Sequence, residues 1–201
     1  MSDDDSASPA AVLRSLVARA VDADPADLDG RVEVVERGSE SEGGDAAGSD
    51  ASAPARRLAE LVGEAGSVVA VVPRLDADLA RRLNESLAAG GDGADGERDA
   101  DPEADVSRAV RVVFTGAASD RLAGATGSVV RRALADRGVD AYRHEGESPV
   151  AVALGDDRAV VGLIDGAGVA ALLWTDDPAV REWAAATCRR YLDAAEQVTG
   201  D

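Results

Sequence analysis

The apolar positions of this chain recur at two periods, and their alternation lays out the fold. Val12, Leu13, Leu16, Val17, Ala20 and Val21 follow Ser8 and Pro9 at helical spacing, which predicts a first helix ending near Asp22. Arg31 to Val35 is compatible with either a short strand or a linker. A second helix is predicted over Pro54 to Ala65, with Leu58, Leu61 and Val62 on one face and Gly66 as its stop. The run SVVAVVP is continuous, β-branched and of strand length, the signature of a buried parallel strand. After Pro73, Asp76 is placed to cap a helix with Leu79, Leu83 and Leu87 as its stripe. Ala109 to Thr115 repeats the strand signal. Ala117 to Arg137 is helical, divided near Gly124 and Gly127, and Val139 to Arg143 is again a strand. Two such strand–helix passages imply right-handed crossovers on one sheet.

The pattern then changes. Val150 to Leu154, Ala159 to Ile164 and Val169 to Trp174 are short strands separated by GDD and DGAG, which are hairpin turns. Asp177 followed by Pro178 starts a last helix, with Val180, Trp183, Ala184, Thr187, Cys188, Tyr191 and Leu192 on its packing side. The fold class expected is α/β, a mixed parallel and antiparallel sheet flanked by helices.

Composition sets the domain limits. Residues 36–53 and 90–105 hold no apolar side chain larger than alanine and are rich in Gly, Ser, Asp and Glu, so they cannot offset the entropy of ordering. The expected organisation is an N-terminal helix and possible strand over 1–35, and an acidic linker over 36–53. An α/β unit over 54–196 follows, with an acidic insertion at 90–105, and 197–201 form a tail.

Charge narrows the function classes. Acids number 39 against 21 bases, every base is arginine, and the net charge is −18. A lysine-free acidic chain reads as a protein of a salt-in halophile. Nonspecific binding of duplex nucleic acid by the whole surface is disfavoured, so any such contact needs a local arginine patch. A single cysteine excludes an internal disulfide framework and a cysteine-rich metal site. No basic-then-apolar leader and no apolar run near 18 residues is present, so a cytoplasmic location without membrane contact is expected.

No catalytic constellation is visible, and no cofactor or metal is expected. His144 has no orienting partner in the sequence, and Cys188 lies on the inward side of its helix. The glycines at 124 and 127, and at 162, 166 and 168, lack the dinucleotide or phosphate-loop context, and Ser128 is not in a nucleophile elbow. An enzyme would need several of Asp156, Asp165, Asp176, His144 and Arg143 in one cleft. Arginines carry the stronger signal. Arg81, Arg82, Arg131, Arg132 and Arg143 follow or end strand–helix steps, and are either solvated and locally paired or part of an anion or small-ligand site. The loops beyond the strands' carboxyl ends, Pro73 to Asp76 and Thr115 to Ser119, would line that site. Arg74, Thr115, Tyr142, Arg143 and Trp174 are the ligand-binding candidates.

From Arg131 onward, RGV after a helix, a proline before an apolar strand (Pro149 to Leu154), the Asp156–Asp157 hairpin and TDDP opening an amphipathic helix with Trp183 and Tyr191 form a recognisable series. It resembles the middle, ligand-sensing domain of archaeal winged-helix transcriptional regulators, of the methanogenesis-regulator type and relatives with a TrmB-like effector domain. The similarity covers roughly Pro54 to Ala195. It implies a fold remotely like phospholipase D without the catalytic HxK motif, since Glu145 and Gly146 follow His144. It also implies a regulatory role, with a small-molecule effector and a homodimer or partner regulator. Only one clear helix precedes Glu36, so no winged helix is expected there. Alternatives are a DNA-binding dimer using the N-terminal helix, an enzyme with a carboxylate site, or a family member without ligand.

Overall fold

A computed structural model describes residues 7–38, 53–74, 77–89, 109–124 and 126–199. Six helices, α1 (Pro9–Ala20), α2 (Ala53–Glu64), α3 (Ala77–Ala89), α4 (Gly116–Ala123), α5 (Gly127–Ala135) and α6 (Pro178–Asp193), flank eight strands. The strands are β1 (Glu33–Glu36), β2 (Ser67–Val72), β3 (Ala109–Phe114), β4 (Val139–Arg143), β5 (Ala151–Leu154), β6 (Ala159–Asp165), β7 (Gly168–Thr175) and β8 (Glu196–Gln197). They form one sheet in the order β1-β7-β6-β5-β2-β3-β4-β8. The β2, β3 and β4 trio is parallel, as the two crossovers require, and every other pairing is antiparallel.

The expected fold class is the one observed, and most elements fall where the periodicity puts them. The acidic linker and insertion lie largely outside the described residues, as does the Asp76 cap. Two boundaries differ. Residues 9–36 do not stand apart from the α/β unit: β1 pairs with β7 over four positions, and α1 buries Leu13 and Val17 in the core. A four-residue strand between polar turns carries too little pattern to reveal its partner. Residues 197–199 are not a tail either. β8 pairs with β4, the Val198 N–H donates to the Ala141 carbonyl (2.8 Å), and the buried Thr199 hydroxyl accepts from Ala141 N (2.7 Å) and donates to the Val139 carbonyl (3.3 Å). These bonds satisfy the outer edge of β4, which would otherwise be open.

The sheet has two covered faces. On one, α1 and α6 pack Leu13, Val17, Val180, Ala184 and Cys188 against Val71, Val113, Val152, Val161 and Leu173. On the other, α2 and α3 cover Val68, Val110, Val160, Leu172 and Trp174, while α4 and α5 cover Phe114 and Ala141. β7 is buried at all eight positions because it lies between α1 and α2, which explains its unbroken apolar run. In α1, Val12 departs from the expected stripe and is 41% exposed, since Leu13 and Val17 already fill the contact. Asp177 caps α6 through Ala179 N (3.0 Å) and Val180 N (3.1 Å) and also pairs with Arg31, tying the N-terminal segment to the last helix.

Candidate functional site

The carboxyl ends of β2, β3 and β4 share one edge of the sheet, where backbone bonds lock three loops together. Thr115 N donates to the Val72 carbonyl (3.0 Å), Ala118 N to the Pro73 carbonyl (3.2 Å), Gly116 N to the Gly146 carbonyl (3.2 Å) and His144 N to the Phe114 carbonyl (2.9 Å). Gly116 holds a φ of +48° here, and a Cβ on it would lie 3.5 Å from the Pro73 carbonyl oxygen, so the junction favours glycine. Thr115 is fully buried at the N-cap of α4, yet its side chain makes no cap bond and its Oγ1 has no hydrogen-bond partner among the described residues.

Beside this junction, α5, β4 and the C-terminal segment enclose an open groove of about 930 Å³. Arg143, the last residue of β4, lines it, together with Arg131, Arg132 and Ser128 of α5 and Glu196, Gln197 and Thr199. The alternation of β4 explains which side chain arrives there. Tyr142 turns to the α1–α6 face, and Arg143 turns to the α4–α5 face. In α5, Ser128, Arg131, Arg132 and Ala135 form the groove side, while Val129, Val130, Ala133 and Leu134 border an apolar crevice of about 560 Å³ on the other flank. Glu196 stands opposite Arg143 in the β4–β8 register, without an ion pair between them among the described residues.

Of the five candidates read from sequence, Arg143 alone lines this groove, and Thr115 sits at the adjacent junction. Arg74 is exposed after β2 on the same sheet edge and contributes to the field at Asp165. Tyr142 packs into the α1–α6 core. Trp174, on β7, lies five strands away from β4, 8% exposed, with the Arg57 guanidinium 4.9 Å from its ring, and so belongs to the packing of α2. Sequence reading missed Glu196, Gln197 and Thr199. The short alternation in EQVT was their only signal, and four residues after a helix are too few to mark a strand.

The acidic candidates do not gather. Asp156, in the β5–β6 turn, accepts from Gly66 N (2.7 Å) and from the amide and hydroxyl of Ser67 (3.1 and 2.5 Å), closing the start of β2. Asp165, in the opposite turn, is held by two bonds from Arg37 (3.0 and 3.1 Å), and these pull its pKa below the ordinary carboxylate value against a weaker desolvation. Asp176 lies with Asp156 at the far edge from His144 and Arg143. No group of three or more His, Cys, Asp or Glu stands close enough to hold a metal ion among the described residues.

His144 is turned back on its own chain. Its Nδ1 accepts from Gly146 N (2.8 Å), its ring meets Tyr191 edge-on at 5.0 Å, and a Cβ at position 146 would approach the ring to 2.7 Å. Glycine at 146 therefore permits a local turn where the phospholipase motif would place a lysine. Burial pushes the Cys188 thiol up to about 12, which keeps it neutral.

Residues 103–194, from before β3 through α6, match the family model of the methanogenesis regulatory protein FilR1, middle domain. No curated protein matches the chain. Among solved structures, TrmBL2, described as an archaeal chromatin protein with a novel mode of DNA binding, superposes with a TM-score of 0.50 at 13% identity, covering 84% of this chain. The chain spans 54% of TrmBL2. Nuc of Salmonella typhimurium, a phospholipase D family member, gives a TM-score of 0.51 at 12% identity over 84% of this chain and 97% of Nuc. At such identities the two likenesses establish the fold, and they bear out the remote phospholipase-D-like architecture. The family match over β3 to α6 makes that part of the α/β unit similar to the middle domain of an archaeal-type regulatory protein.

Proposed function

We propose that the chain senses a small-molecule effector, which binds in the groove between α5 and the β4–β8 edge. The observation that carries this reading is the composition of the groove wall. One side is a helix of the crossover, and the other is a two-residue strand held to β4 by a handful of bonds through Val198 and Thr199. A ligand bridging the two walls favours one seating of the terminal segment over another, and that change of population is the signal. A second copy of the chain or a partner regulator reads it.

The role is regulatory and not hydrolytic. Its support is the Glu145–Gly146 pair in place of an HxK motif and the separation of the acidic candidates between two sheet edges. Net charge −18 and the lack of lysine support work in a high-salt cytoplasm, and no helix among the described residues is long and apolar enough to cross a membrane.

A thermal-shift panel in molar KCl, covering sugars, nucleosides, organic acids and sugar phosphates, tests the reading. A saturable rise in Tm that Ser128→Trp abolishes by filling the groove is the expected result. A rise that survives Ser128→Trp places the ligand elsewhere, and no rise across the panel sinks effector sensing for those classes.

A further inference from the structure

Many arginines of this chain are neutralised locally: Arg31 by Asp177, Arg37 by Asp165, Arg57 by Glu60, Arg81 by Glu85 and Arg158 by Glu64 and Asp157. Those that line the groove are not. Arg131, Arg132 and Arg143 converge on one concave surface and make no ion pair among the described residues, in a chain where acids outnumber bases 39 to 21. Bringing like charges together raises the free energy of the empty groove, and a counter-charge between them lowers it.

We propose that the groove is an anion site whose ligand is a small molecule with two or more negative charges, borne on phosphate or carboxylate groups. The inference rests on the sensing reading above and specifies its chemistry. Guanidinium groups offer planar forks that match both oxyanions with paired hydrogen bonds. Ser128 adds a hydroxyl from the first turn of α5. Salt sharpens the requirement. At molar ionic strength the screening length falls to about 3 Å, so general attraction is lost and direct contact remains. A multiply charged ligand chelated by two or three forks survives that screening, whereas chloride gains a single contact.

Glu196 supplies an internal control. It is the acidic side chain on the groove wall, facing Arg143 in register, and it repels the ligand. Removing its charge strengthens binding, while removing any of the three arginine charges weakens it. Opposite signs from neighbouring neutralising substitutions separate a charge effect from a loss of fold.

Isothermal titration of the full chain in molar KCl with pyrophosphate, citrate and glucose provides the test. Pyrophosphate, citrate or both are expected to bind. Arg143→Gln or Arg132→Gln should weaken that binding by about tenfold each, Glu196→Gln should tighten it, and Arg81→Gln on α3 should leave it unchanged. Far-UV circular dichroism of each variant confirms folding. No heat with either anion, or equal affinity in Arg143→Gln, overturns the proposal. Glucose binding that Ser128→Trp blocks, with both anions silent, overturns the anion assignment and leaves the sensing reading intact. A short DNA duplex whose binding the same arginine variants abolish, with both anions silent, also overturns it.

Discussion

The two halves of the sheet differ in what covers them and in what their edges carry. The antiparallel half, β1, β7, β6 and β5, is sandwiched by α1 and α6 on one side and α2 on the other, and its longest strand has no exposed residue. The parallel half, β2, β3 and β4, ends in a polar edge where three loops, the arginines of α5 and the C-terminal strand meet. Both halves bury their strands, and the parallel half adds three arginines without ion pairs among the described residues along its edge groove. With the groove as the proposed recognition site, substitutions in one half should leave the property of the other nearly untouched.

The largest expected effect lies in the antiparallel half. Trp174→Ala removes a ring that is 8% exposed and packed under Arg57, and should cost about 3–5 kcal/mol in urea unfolding. Arg143→Gln, by contrast, should stay within about 0.5 kcal/mol of the parent. Comparable losses at both positions would erase the division. Asp177→Ala comes next. It removes two cap bonds and the partner of Arg31, and about 1–2 kcal/mol of stability should go with them, read as a lower urea midpoint at unchanged slope.

The smallest effect concerns pH. Asp165 is half exposed and its pKa is lowered chiefly by the hydrogen bonds from Arg37. A lowered carboxylate pKa means that the unfolded chain binds the proton more readily. The stabilisation is therefore present above the ordinary value of 3.8 and is lost as pH falls through the lowered pKa. Exposure limits it to about 0.2–1 kcal/mol. Asp165→Asn should lower stability at neutral pH by that amount and leave it nearly unchanged below the lowered pKa, which flattens the acid limb of the stability curve. A steeper acid limb in the variant would reverse the assignment.

How much of this was legible in the sequence follows the same division. The buried strands announced themselves, because a strand covered on both faces, such as β7, must be apolar throughout. Asp177 and Pro178 fixed the start of α6 to the residue, since both residue types answer the backbone needs of a helix's first turn. Strand order was not legible: β5 pairs with β2, and β1 with β7, through contacts distant in the chain that leave no local periodicity. Trp174 looked like a ligand platform because an aromatic side chain at a strand end suits a pocket as well as a core, and only the position of α2 decides between them. Arg143 was a candidate because it lies on a late strand, and the structure places it on the groove wall. Its neighbours in the groove arrive from α5 and from the chain's end, and their convergence exists only in three dimensions.

The most direct test of a recognition edge separate from the structural half is an amide-resolved NMR titration of the isotope-labelled chain with pyrophosphate in molar KCl. Saturable shifts concentrated at Ser128, Arg131, Arg132, Arg143 and Gln197 to Thr199 are expected, with β1 and β7 unmoved. Shifts centred on β1, β7 and α2, or none at any residue, would contradict it.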